Sequence, residues 1–174
     1  FTAPWRVGRT PIHSVGIAAL DAEHAACTAA LQQLASTRSV AALEKVLIAY
    51  EAHFAHEEAL LDTYLWKEAA AAAAGGGSAG GFDKSASMRK SHFADHARML
   101  RELAPEYVEQ ARRTRGVGVS SEEIPEEIPR TVVESALLDF EAHANRYDSY
   151  GDELGAALLR AGESPSAVLA LAGV

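Results

Sequence analysis

AYEAHFAHEEALLD, Ala49 to Asp62, is the stretch on which the reading of this chain turns. Leu43, Val46, Tyr50, Phe54, Leu60, Leu61 and Tyr64 recur at steps of three and four, the rhythm of a helix that packs against others. His53 and Glu57 fall on that same stripe. An ionised carboxylate and an imidazole are costly to bury unless something pairs with them. The stretch therefore predicts a packed helix and a partner for its polar pair.

Three further helical patterns flank it. The first helix runs from about Val15 to Ser36, with Ile17, Leu20, Cys27, Leu31 and Leu34 on one face. The second, which carries the quoted stretch, starts behind Ser39 as N-cap and reaches toward Ala70. The third spans about Asp83 to Arg113, with Met88, Met99, Leu103 and Tyr107 inward. The fourth opens near Pro129, a residue suited to a first turn, and presents Val133, Leu137, Phe140, Tyr147, Leu154 and Leu158. Around them lie an N-terminal arm (1–14), an Ala/Gly-rich insert (69–82), a second loop (114–129) and a tail (163–174). Glycine cannot hold regular structure cheaply, so the first insert reads as flexible. The expected architecture is all-α: a single domain over 1–174 built as an antiparallel up-and-down four-helix bundle with two long inter-helix inserts.

Composition agrees. Nearly half of the 174 residues are hydrophobic (48%), alanine is abundant and β-branched clusters are few. A net charge of -8 argues against nucleic acid or an anionic membrane as the main partner. The single cysteine, Cys27, rules out an internal disulfide and fits a reducing compartment. No apolar run approaches a membrane span, and a cytoplasmic location is expected.

The chemistry sits on the inward stripes. His24 lies between Leu20 and Cys27 on the first helix. His53 and Glu57, four apart, fall within about 40° of one another around the second. His92 and His96 repeat that spacing on the third, and two imidazoles so placed can converge on one metal ion. His143 and Asp148 are five apart, about 140° around the fourth helix, so they cannot point the same way. That spacing is wrong for one ion and right for a pair, with one residue on the nearer ion and the other reaching between the two.

The motifs DAEH (21–24), HFAHEE (53–58), HFADH (92–96) and HANRYD (143–148), with VGI at Val15–Ile17 and Trp5 upstream, resemble those of the hemerythrins. The resemblance covers the four helices and neither insert. It implies an oxo- or hydroxo-bridged centre of two iron ions. His92, His96 and His143 would complete one iron, His24 and His53 would serve the other, and Glu57 and Asp148 would bridge. It also implies reversible O2 binding at the iron with only two imidazoles, and access for small anions such as azide. Mixed imidazole and carboxylate ligation suits iron on general grounds as well, though zinc or manganese could occupy such a site. Relative to the family, Asp139 stands where a tryptophan is common, and Ala144 where a branched aliphatic residue is common. Phe140 is expected to roof the O2 pocket, with Ala144 beside it. His56 and Glu58 read as surface or supporting residues, and His13 as neither.

The implied function is an O2-binding protein for carriage, storage or sensing, and whether the chain is also an enzyme stays open. Two alternatives stay open: a di-iron redox enzyme acting on peroxide or nitric oxide, and an iron- or O2-responsive interaction module.

Overall fold

The computed structural model describes residues 12–67, 84–104 and 127–164, without the side chains of 147–149. The insert 69–82 lies outside the described residues, as do most of the arm, the second loop and the tail, and Tyr107. Among the described residues the chain is all-helical: α1 (Ala18–Thr37), α2 (Val40–Leu60), a π-helical turn (Leu61–Leu65), α3 (Lys84–Leu103) and α4 (Arg130–Arg160).

Local signals explain most of the boundaries. Asp21, in the first turn of α1, accepts from Ser14 Oγ at 2.6 Å and from Val15 N at 2.8 Å, which ties the incoming strand to the helix start. Ser39 caps α2 by accepting from Ala42 N at 3.2 Å. Pro129 precedes α4 as its N-cap and is not its first helical residue. Gly162, at φ +80°, ends α4 in the left-handed region, where Glu163 N donates back to Leu158 O at 3.0 Å.

α2 stops short of the expected Ala70. After Leu60 the backbone widens to π spacing, and Trp66 N donates to Leu61 O at 2.6 Å. Tertiary contacts hold the widened turn: Arg89 of α3 grips Asp62 with Nε and Nη2, each at 2.7 Å, and packs over Phe93.

α1 packs on α2 and α4, and α3 packs on α2 and α4, while the π turn packs on α4. The apolar core inside falls into two clusters. One gathers Leu31, Leu34, Leu43, Val46, Tyr50, Met99, Ile128, Val133 and Phe140. The other gathers Val15, Ile17, Leu20, Leu60, Leu61, Trp66, Leu154 and Leu158. Tyr64 and Met88, expected inside, are half-buried against the second cluster. Among the described residues, no helix is long and apolar enough to cross a membrane.

Candidate metal centre

Between the two apolar clusters lies a polar layer. On α1, His24 separates Leu20 from Cys27. On α2, His53 and Glu57 interrupt the run from Tyr50 to Leu60. His92 and His96 precede Met99 on α3, and His143 follows Phe140 on α4. None of these six polar residues is more than 8% exposed. Asp148 also lies on α4, but its side chain is outside those described.

The layer is organised around one oxygen. Glu57 Oε2 lies 3.1 Å from His96 Nε2, 3.2 Å from His92 Nε2, 3.9 Å from His143 Nε2 and 4.0 Å from His53 Nε2. Ligand-capable atoms of Glu57, His92, His96 and His143 all fall within 4.8 Å of one another. His24 stands apart from that group and pairs with His53, their ring centroids 4.6 Å apart and edge-on. The rings therefore fall into a group of three, His92, His96 and His143, gathered with Glu57, and a pair, His24 and His53.

A second set of carboxylates aims the rings. His53 Nδ1 lies 3.1 Å from Glu23, His96 Nδ1 2.8 Å from Glu58 and His143 Nδ1 3.0 Å from Asp95. An ionised carboxylate only accepts, so each Nδ1 donates to its partner and each Nε2 is left as the ring atom that faces Glu57. Glu23 also takes His56 Nδ1 at 2.6 Å, which makes half-buried His56 part of the support. Phe54 stacks on His96 with centroids 4.0 Å apart, and Tyr50 stacks on Phe140 at 5.1 Å.

The electrostatics follow from burial and contact. Burial works to raise the Glu57 carboxyl, but contacts with His143, His92 and His96 outweigh it and hold the group well below its usual range. Burial lowers His24 to about 4 and also lowers His92. Burial would lower His143 too, yet Asp95 and Glu57 raise it. Burial pushes the Cys27 thiol up to about 12, so it offers no thiolate to the layer.

The residues fit a metal. Among the described residues, buried His24 Nδ1, His53 Nε2 and Glu57 Oε2 have no hydrogen-bond partner. Imidazole lone pairs around a carboxylate are a donor set for a divalent first-row ion. A cleft of about 710 Å³ opens beside α1 and α4, lined by Ile12, Asp21, Thr28, Leu137 and Glu141 among others, and it reaches His24 and Phe140. Ala144 is buried at 3% exposure and does not line that cleft. His13 is exposed at its rim.

Of the seven expected ligands, the structure brings Glu57, His92, His96 and His143 into one group and buries His24 and His53 beside them, while the Asp148 side chain lies outside those described. The sequence reading missed Glu23 and Asp95 as ring-orienting groups. A signal was present: Glu23, Glu58 and Asp95 are each the chain neighbour of a layer residue. Compared with known proteins, the chain matches no family model, no curated protein and no solved structure.

Proposed function

We propose that this chain is a hemerythrin-type protein, an up-and-down four-helix bundle that holds two iron ions and binds O2 reversibly. The observation that carries the reading is the single Glu57 oxygen facing imidazoles from α2, α3 and α4. The ring of helix pairings and the short Arg38–Ser39 connection between α1 and α2 support the bundle. His92, His96 and His143 would hold one ion and His24 and His53 the other, with Glu57 and Asp148 shared. Iron bound by that donor set would supply reversible redox chemistry toward O2.

The chain's own residues do the rest. Glu57 would set a negative charge beside the bound ions and offset their positive charge. Glu23, Glu58 and Asp95 fix ring tautomers, so the layer is preorganised. Phe140 and Tyr50 pack against the His24 and His53 side and exclude water there. The cleft reaches His24 and none of the other five layer residues, so a small molecule arrives on the side with two histidines.

The tight grouping of Glu57, His92, His96 and His143 also favours a second reading, a centre with one ion. An absorption spectrum of the iron-loaded, anaerobically reduced chain, taken before and after air, tests the O2 reading. A visible band that forms with air and disappears on deoxygenation is the expected result. Irreversible conversion to the oxidised form, with no reversible band, would instead indicate redox chemistry on peroxide or nitric oxide.

A further inference from the structure

The three carboxylates that aim the imidazoles are not alike. Glu23 divides its oxygens between His53 and His56. The Glu58 side chain is 35% exposed. Asp95 is better sheltered, at 15%, and is itself held. Its Oδ2 takes His143 Nδ1 at 3.0 Å, while Oδ1 takes Arg98 Nε at 3.0 Å and Nη2 at 2.9 Å. The free side of the same guanidinium meets Glu102 at 2.7 Å, one turn along α3, and Asp139 of α4 at 3.5 Å. Asp139 is steadied in turn by Ser135 Oγ at 3.2 Å.

These contacts form a square across two helices. Asp95 and Arg98 sit one turn apart on α3, and Asp139 and His143 sit one turn apart on α4. Acid meets base along both rungs: Asp95 to His143 and Arg98 to Asp139. A carboxylate bound through one oxygen can still turn about its bond to Cβ. Closing a planar fork on Oδ1 removes that freedom and leaves Oδ2 for the imidazole.

Building on the metal-centre reading, we propose that Arg98 is a positioning residue. By clamping Asp95 and anchoring to Asp139, it fixes the His143 ring with Nε2 toward Glu57, and so sets the affinity of the Glu57, His92, His96 and His143 group for its ion. Arg98 lies outside the polar layer, and among the described residues its link to that layer runs through Asp95. Its side chain is 35% exposed, so the effect is one of geometry more than of bare charge.

The test uses the full chain loaded with Zn2+, which is diamagnetic and can be competed off with a chelator of known affinity. Arg98→Ala is expected to weaken the tightest zinc by about 10- to 100-fold, the range for lost outer support of a ligand. The His143 Nδ1–H proton resonance should shift upfield and exchange faster with water, while that of His96, held by Glu58, stays in place. Arg98→Lys keeps the charge but cannot fork, so it should recover only part of the affinity and of the shift. An Arg98→Ala chain with wild-type zinc affinity and an unmoved His143 resonance would overturn the proposal. So would full recovery of both by lysine, since charge alone would then suffice. If Arg98→Ala does not fold, the lysine variant decides. Failure of the wild-type chain to take up zinc would count against the metal-centre reading instead, and the His143 resonance of the metal-free chain would still decide whether Arg98 positions that ring.

Discussion

Phe140 is where fold and access meet, and replacing it with alanine should show in both. The ring is 2% exposed, stacks on Tyr50 at 5.1 Å and 22°, and meets His24 and His53 edge-on at 6.0 and 6.5 Å. Truncating a buried Phe to Ala typically costs about 3–5 kcal/mol, including the cavity left behind. Losing the aromatic pair with Tyr50 adds about 1 kcal/mol. The new space opens into the cleft that Phe140 already lines, so water can enter and relieve part of the cavity cost. The net expectation for the metal-free chain is a loss of about 3–4 kcal/mol, against about 1 kcal/mol for Phe140→Leu. Urea denaturation followed by circular dichroism reads it as a lower midpoint at unchanged slope. In the iron-loaded chain the same opening should speed azide binding and autoxidation. A loss under about 1 kcal/mol for Phe140→Ala, with azide binding unchanged, would refute the placement of Phe140 between core and cleft.

Two further outcomes follow from particular contacts. A Cβ on buried Gly151 would press on Val15, within clash distance of its carbonyl oxygen and 2.9 Å from its Cβ. Gly151→Ala should therefore destabilise by about 1–2 kcal/mol despite its helix-propensity gain, and a rise in melting temperature would contradict the seating of Val15 on α4. In the metal-free chain, burial lowers His24 from 6.5 to about 4, so between those values the unfolded state binds the proton that the folded state refuses. Stability from this group is fully present above pH 6.5 and falls by about 3 kcal/mol as the pH drops to 4, whereas His143, held high, contributes in the opposite sense as pH rises. Denaturation midpoints across that range in wild type and His24→Asn check it, and identical slopes would refute it.

The polar layer was legible in the sequence because it sits on stripes that periodicity marks as inward. His53 and Glu57 cannot avoid the core while Tyr50, Phe54 and Leu60 occupy it. The residues that aim the rings were not legible in the same way. Asp95 serves His143, 48 positions away, and Glu23 serves His53, so each assignment depends on the register between two helices. The end of α2 was misjudged because LLDTYLW continues the apolar rhythm. Its widening to a π turn is held by Arg89 on another helix, which no local pattern records. The side chain of Asp148, the second bridging candidate, lies outside the described residues.

The most direct test of the proposed two-ion centre is the iron content of the chain, reconstituted anaerobically, measured together with the magnetic coupling of the oxidised form. Two iron ions per chain, coupled to a diamagnetic ground state and lost together in Glu57→Ala, is the expected result. One iron per chain, or two that behave as isolated ferric ions, would contradict a pair of ions shared across Glu57.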